Sequence, residues 1–445
     1  MILRPNRLRL NVTLISIHFN QAALRDAIAH CLLSQALKRL PILLCPYWGK
    51  SHNANCQQGA KNVDVDVRRL LSFRPMRHDL LTLQSISHQF RIDGEFLTAE
   101  PYGSGHINDT YRSSWRINGQ NRDFILQRIN HNVFKQPPQL MDNILRVTTH
   151  LRHKLERTPG ADPDRETLTV VPTHDGLPYY QDAQGHYWRT YIFIRDAMTV
   201  DTCTDPNLAY HAAKAFGRFQ ADLADIPGGR LHDTIPFFHH TPTRFRTLQD
   251  AIAKDAFNRC RDAKPDIAFC LQHEALTSVI VDCLKSGAFP ERITHNDTKI
   301  NNVMLDTRSG EGVCVIDLDT VMSGCALYDF GDMVRTFTRP TPEDERDLGQ
   351  VVMDRQMLEP LVRGYLDSAR SFLTPVEIEH LIMSGMLITF TIGIRFLTDY
   401  LSGDVYFKVH RPGQNLDRSR VQFKMIQSME AQESAMQAIV RTYAS

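Results

Sequence analysis

Apolar positions along the chain switch from a spacing of two to a spacing near 3.6, and the switch falls close to residue 195. Before it, "LTAEPYGSGHINDTYRSSWRING" reads as strand, loop, strand and turn, with Asn118–Gly119 as a hairpin signal. Residues 122–130, "RDFILQRIN", predict the next strand, and "TLTVVPT" and "YWRTYIFI" predict two more. A helix over 137–157 interrupts them. Pro138 sits near its start, and Leu140, Ile144, Val147 and Leu151 line one face. "HDLLTLQSISHQF" predicts a short amphipathic helix ahead of the strands.

After Arg195 the helical spacing dominates. Asp205 is the expected N-cap and Pro206 the first residue of a helix whose apolar face holds Leu208, Ala212, Ala215, Phe216, Phe219 and Leu223. "TPVEIEHLIMSGMLITFTIGIRFLTDYL" predicts one helix opened by a Thr374–Glu377 capping box and apolar almost all round, hence buried. "NLDRSRVQFKMIQSMEAQESAMQAIVRTY" predicts a long amphipathic helix at the C-terminal end. The expected fold class is α+β and bilobal: a small antiparallel-β lobe over 76–195 and a large, mainly α-helical lobe over 196–445. Residues 1–75 differ in texture. Their only acids are Asp26, Asp64 and Asp66, and 51–62 are polar and unpatterned. A helix is conceivable over 21–40, with Leu24, Ile28, Cys31 and Leu32 at helical spacing. The segment is expected to be a poorly ordered extension, with Met76 as an alternative first residue and a basic docking segment as the rival reading.

Composition narrows the function classes. The chain has 445 residues, 42% of them hydrophobic, enough for a large core. A formal net charge of +1 argues against a general nucleic-acid or membrane-surface binder. The nine Cys include no C-x-x-C pair, so neither a zinc site nor a disulfide framework is signalled. The most apolar run, Leu381 to Ile394, falls short of the ~20 residues that a spanning helix needs. The N-terminal residues lack an apolar run with a small-residue cleavage site. These features predict a cytoplasmic protein.

The chemistry concentrates in "ITHNDTKINNVMLD". Asp297 and Asn302 stand five apart in a polar loop between apolar runs, and fifteen residues later Asp317 ends the apolar run of "VCVIDLDTV". Phosphoryl transfer needs this set. One carboxylate orients and deprotonates a hydroxyl, while a second carboxylate and an amide oxygen hold Mg²⁺ against a triphosphate. Either piece alone reads as an ordinary turn. Upstream, "YGSGHINDTY" supplies a glycine loop between strands, where Gly103 and Gly105 let backbone N–H groups approach phosphates.

"H-x-D-x-x-x-x-N" followed by an "I-D" strand resembles the aminoglycoside phosphotransferase superfamily, whose fold is similar to that of protein kinases. "GSGHINDTY", "FILQRIN", "YWRTYIF", "AFGRFQADL", "HNDTKINNVMLD", "IDLDTV", "YDFGDMVR" and "IRFLTDYLSGDVYFK" further resemble the N-acetylhexosamine 1-kinases, over about residues 95–430. The resemblance implies a protein-kinase-like fold and transfer of the γ-phosphoryl of ATP, with Mg²⁺, to the anomeric hydroxyl of a small sugar. Rival readings are an aminoglycoside or other small-hydroxyl phosphotransferase, and a pseudokinase that binds nucleotide without turnover. It also implies roles. Asp297 is the catalytic base and His295 braces its loop. Asn302 and Asp317 hold the metal, and Asp319 is a second metal or substrate contact. Gly103, Ser104, Gly105, His106 and Asn108 cover the nucleotide phosphates, and Phe193 and Ile194 form the interlobe hinge that meets adenine.

One departure stands out. Where a kinase lysine should close "FILQRIN", the chain has Gln127 and Arg128, and alternation lets only one face the nucleotide. Alignment favours Gln127, which would leave that strand without a cation; Arg128 would keep the charge. Arg395 follows fourteen uncharged residues in a buried helix. It is read as a sugar contact, with an ion pair to Asp399 one turn on as the structural alternative. "FHHTPTRF" (238–245) either lines the same pocket or forms a surface loop.

Overall fold

The computed structural model describes residues 78–103, 105 and 107–444. The expected extension over 1–75 and the loop residues Ser104 and His106 therefore lie outside the described residues. A helix α1 (Leu80–Ser87) is capped by the Asp79 side chain, which accepts from the Thr82 N–H. It precedes strands β1 (Glu95–Pro101), β2 (Asp109–Ile117) and β3 (Gln120–Ile129), helix α2 (Pro137–Leu155), and strands β4 (Val170–Val171), β5 (Tyr180–Gln181) and β6 (Tyr187–Ile192). The six strands make one antiparallel sheet in the order β1-β2-β3-β6-β4, with β5 also on β6. Asn118 and Gly119 form the two-residue hairpin turn: both have positive φ, 51° and 77°, and Ile117 pairs with Gln120 across them.

Period-two alternation gives the sheet two different faces. Trp115, Phe124, Leu126 and Trp188 pack with Leu83, Ile86 and Phe90 beneath α1. The opposite face carries Gln127, Arg189 and Tyr191, with the Arg189 guanidinium 5.2 Å from the Tyr191 ring centre. α2 follows its predicted apolar stripe, burying Leu140, Met141, Ile144, Val147 and Leu151, and Arg152, His153 and Lys154 oppose its negative C-terminal end.

Beyond β7 (Ala197–Met198) the chain is mainly helical: α3 (Pro206–Asp222), α4 (Thr241–Lys254), α5 (Ala326–Phe337), α6 (Arg355–Ala369), α7 (Leu381–Leu401) and α8 (Gln414–Ala444). Short strands β8 (Arg292–Thr294), β9 (Val303–Asp306), β10 (Gly312–Val315) and β11 (Met322–Gly324) lie between α4 and α5. β9 pairs with β7 and β10, and β8 with β11. Asp205 caps α3 as expected, accepting from Asn207 N–H at 2.8 Å. The buried face is rotated from the predicted one: Ala209 and Ala213 are inside, while Leu208 and Ala215 are only half-buried. Small residues let α3 lie against α6 almost backbone to backbone. A Cβ on Gly364 would stand 2.1 Å from the Tyr210 carbonyl oxygen, and one on Gly217 would stand 2.8 Å from that of Tyr365.

Two expectations change. The Thr374–Glu377 capping box forms, but its helix ends at Glu379 and α7 starts afresh at Leu381. At the break, the His380 backbone leaves helical geometry and its ring bonds the Val376 carbonyl at 2.8 Å. The apolar run is also longer than the sequence suggested. α7 has 21 residues, enough by length and composition to cross a membrane, and 78% of its most apolar window is buried within the fold. Gly364→Ala is expected to force α3 and α6 apart and to lower stability by about 1–3 kcal/mol, the usual range for overpacking. Thermal denaturation checks this, and an unchanged midpoint would mean that the pair is not held at this separation.

Candidate active site

Loop 295–302 connects β8 to β9, and segment 316–321 connects β10 to β11. The two are laced together. Ile316 N–H donates to the Asn302 carbonyl at 2.9 Å, the Thr320 hydroxyl to the His295 carbonyl at 2.7 Å, and the Asn296 side-chain amide to the Thr320 carbonyl at 2.9 Å. Asn296 and Asp317 both take left-handed backbone, with φ of 66° and 60°, a conformation that Asn and Asp tolerate better than most residues.

Asp329, in the first turn of α5, holds the loop from inside. Its carboxylate accepts from His295 N–H at 2.9 Å, Asn296 N–H at 2.6 Å and Gln220 at 2.6 Å, and its carbonyl accepts from the Thr298 hydroxyl at 2.7 Å. Gln220 accepts in turn from Tyr365 at 2.6 Å, so α3, α5 and α6 all support the loop. Burial raises the Asp329 carboxyl to about 6, against the lowering effect of these donors.

His295 is fully buried, with its ring edge-on to Phe216 and Phe219 of α3. Nε2 donates to the Ile316 carbonyl at 2.9 Å, which leaves Nδ1 to accept the Asp297 N–H at 3.2 Å. Both nitrogens are engaged, so His295 braces the loop and offers no free group to a substrate. Asp297 keeps 26% of its side chain exposed and pairs with Lys299 Nζ at 3.0 Å. Burial alone would raise its pKa, but Lys299 and other positive charges outweigh that and hold the carboxyl below its ordinary range. The Asn302 amide nitrogen donates to the Asp297 carbonyl at 2.7 Å and to its carboxylate at 3.2 Å. Both partners are acceptors, so Asn302 Oδ1 is the atom left for a ligand.

Asp317 lies near Asp319 and Asp297. Burial, together with those two negative charges, pushes its carboxyl up to about 7. A carboxylate so placed suits a bound cation. Among the described residues no three His, Cys, Asp or Glu side chains cluster as a metal site. A single carboxylate and an amide oxygen completed by phosphate oxygens is the arrangement that Mg²⁺ commonly takes.

A model of the phosphotransferase enzyme family, APH, matches residues 98–365, more than half of the chain. The chain belongs to this phosphotransferase family. Its fold is kinase-like, an antiparallel sheet followed by a helical region. It is similar to a microcompartment-associated aminopropanol kinase, at 16% identity and a TM-score of 0.51, covering 80% of this chain and 98% of that one. It is also similar to the amicoumacin kinase hAmiN in complex with AMP-PNP and Ca²⁺, at 11% identity and a TM-score of 0.50, covering 78% and 94%.

In this phosphotransferase the choice between Gln127 and Arg128 is made by the pleat. Arg128 is turned to Asp109, to which it is ion-paired. Gln127 lies on the other face, donating to Thr110 at 2.9 Å and accepting from Arg189 Nε at 2.9 Å. Arg189, one strand away, is 1% exposed and ion-paired with Asp319. A cation therefore does stand on this face, and it comes from β6. The second Asp319 oxygen accepts from Asn108 at 2.6 Å, and the Asn108 side-chain oxygen accepts from Asn130 N–H at 2.9 Å. Asp319, expected as a second metal or substrate contact, and Asn108, expected over the phosphates, tie the sheet to the segment that carries Asp317. Sequence reading passed over Arg189 and Lys299. The signals were an arginine inside an apolar strand and a lysine two residues after Asp297.

Gly103 has φ of 80° and, like Gly105, open space where a side chain would stand. Beside them Tyr102 meets the Phe193 ring edge-on at 5.7 Å, and the Arg112 guanidinium lies 4.9 Å from that ring. Ile194 is buried in the main core. Arg395 is not paired with Asp399. That carboxylate accepts from the backbone N–H groups of Val405, Tyr406 and Phe407, at 2.8–2.9 Å, and from Asn415. Arg395 lies instead among the rings of Phe238, Tyr406 and Phe407, at 5.2, 5.7 and 5.4 Å. In the 238–245 segment, Phe238 packs on Arg395 and His239 Nε2 donates to the Asn296 carbonyl at 2.8 Å, which sets it against loop 295–302.

Asp329→Ala strands two buried N–H groups at roughly 1–3 kcal/mol each. It is expected to lower the thermal midpoint by the equivalent of about 2–5 kcal/mol and to reduce turnover with it; a stable, active variant would show the brace to be dispensable. Arg189→Met leaves Asp319 buried without its cation and is expected to destabilise by about 3–5 kcal/mol. The double variant Arg189→Met/Asp319→Leu should recover much of that loss, and additive effects in the cycle would refute the tie.

Proposed function

We propose that this phosphotransferase moves the γ-phosphoryl of ATP to the anomeric hydroxyl of an N-acetylhexosamine, giving a sugar 1-phosphate and ADP. The observation that carries phosphoryl transfer is the convergence of Asp297, Asn302 Oδ1 and Asp317 on one braced loop pair. Asp297 is ionised at neutral pH and accessible enough to take the hydroxyl proton as the sugar oxygen bonds to phosphorus and the bond to the ADP oxygen breaks. Lys299 orients that carboxylate and places a positive charge where the transferred group passes. Asn302 and Asp317 would hold Mg²⁺, which neutralises phosphate oxygens when bound. The backbone at Gly103 and Gly105 would cover the phosphates, with Tyr102 and Phe193 beside adenine.

The choice of acceptor rests on the motifs that resemble N-acetylhexosamine 1-kinases and on the side of the site opposite the sheet. That side presents Arg395 and Arg244 rather than the acids that a polycationic aminoglycoside would require. The anomeric hydroxyl is more acidic than an ordinary alcohol, so positioning by Asp297 contributes as much as its basicity.

An acceptor panel with Mg²⁺–ATP, read as ADP release and as sugar phosphate, tests the proposal. Turnover is expected with N-acetylglucosamine or N-acetylgalactosamine and not with kanamycin-type aminoglycosides; the reverse pattern would overturn it. Asp297→Asn, which preserves shape, should lower kcat by roughly 10²–10⁴ with little change in ATP affinity.

A further inference from the structure

Charged side chains around the catalytic loop are neutralised locally. Lys299 faces Asp297, Arg335 faces Asp332, Arg189 faces Asp319, and Arg292 forms a two-pronged pair with Glu377. Arg395 and Arg244 break the pattern. No carboxylate lies within ion-pair distance of either among the described residues. They flank the same residue: the Arg395 guanidinium stacks on the Phe238 ring at 5.2 Å, and Arg244 Nε donates to the Phe238 carbonyl at 3.3 Å.

Their surroundings make this unfavourable for the empty protein. Burial lowers the Arg244 pKa to about 10, and the Arg395 charge adds to that lowering. Arg395 is likewise lowered, first by burial and also by Arg335. Two partly desolvated cations close together repel, and the Tyr406 hydroxyl and the Asp297 charge offset only part of the cost, since both guanidinium groups stay below the ordinary range. The three rings around Arg395 stabilise its charge through their faces, but they accept few of its five N–H donors. The cage is held in shape from behind. Asp399 fixes the backbone of residues 405–407, which places the Tyr406 and Phe407 rings. Tyr406 itself is 62% exposed, so the cage opens to solvent. Phe238, which both arginines flank, precedes His239, whose Nε2 donates to the Asn296 carbonyl at 2.8 Å, so the pair lies close to the loop that carries Asp297.

We infer that Arg395 and Arg244 bind an oxyanion carried by the acceptor, so that the preferred substrate is an anionic N-acetylhexosamine rather than the neutral sugar. A carboxylate, sulfate ester or phosphate ester meets the chemistry equally: one negative group between two guanidinium forks, with the sugar ring bridging to Asp297. The inference rests on the phosphoryl-transfer reading above and deepens it.

The experiment compares matched acceptors on the full chain with Mg²⁺–ATP: an N-acetylhexosamine, its 3-O-lactyl carboxylate, its 6-sulfate and its 6-phosphate. At least one anionic acceptor is expected to exceed the neutral sugar in kcat/KM by about tenfold to a hundredfold, the worth of a charge-assisted hydrogen bond or two. Which one does so identifies the group. In Arg395→Met and Arg244→Gln the ratio of anionic to neutral kcat/KM should collapse towards one, while Arg395→Lys should keep part of it. The parent's own ratio needs no variant and stands even where a variant fails to fold. A parent that uses the neutral sugar as well as, or better than, all three anionic ones overturns this inference and leaves the proposed function intact. A parent that phosphorylates none of the four overturns both.

Discussion

The carboxylate of Asp329, accepting the N–H groups of His295 and Asn296, is the contact on which the site depends. A loop that must aim a carboxylate cannot be held by strand pairing alone, because its polar backbone would otherwise seek water. Here the donors are taken up by an acid at the start of a helix, and that acid is bonded to Gln220 and through it to Tyr365. The loop inherits the rigidity of α3, α5 and α6. The close approach of α3 to α6, which Gly217 and Gly364 permit, is part of the same arrangement, since Gln220 and Tyr365 meet across it. Helix packing and loop geometry are thus one structure.

A second tie works from the other side. Asp319 is held by Arg189 of β6 and Asn108 ahead of β2, so the sheet is fastened two residues away from Asp317. A fully buried ion pair is weak evidence for net stability, because desolvation offsets much of the attraction. What it supplies is register. The guanidinium reaches Asp319 only if β6 keeps its pairing with β3, and Gln127 accepts from the same guanidinium to hold it. A long cation anchored on β6, rather than a lysine on β3, leaves β3 with a neutral side chain, Gln127, on the sheet face that carries Arg189. The charge at that face therefore depends on contacts between strands.

Around Phe238, two cations without ion-paired acids among the described residues stand near a loop whose own charges are paired. Asp399 is drawn into shaping the aromatic cage, so the i+4 spacing with Arg395 yields no ion pair. Three backbone amides and the Asn415 side chain take up the one carboxylate as the chain turns past the helix end, which leaves none of it for a guanidinium on the same helix.

Sequence alone determined what depends on neighbours along the chain. The Asn118–Gly119 hairpin, the Asp205 cap, the Thr374–Glu377 box and the apolar stripe of α2 are local choices of backbone conformation and side-chain spacing, and they are legible in short windows. The order of Asp297, Asn302 and Asp317 was legible for the same reason, since a polar loop and a strand end mark themselves. The tertiary structure decided what depends on partners far apart in the chain. Arg189 and Asp319 are 130 residues apart, and Asp329 lies 34 beyond His295. The face that Gln127 takes follows from the pleat and from what lies beneath it. The break at His380 and the company of Arg395 follow from which groups compete for the same hydrogen bonds. Periodicity says that a side chain is buried or exposed. Only packing says which distant charge or ring it meets there, and at this site that pairing sets the chemistry.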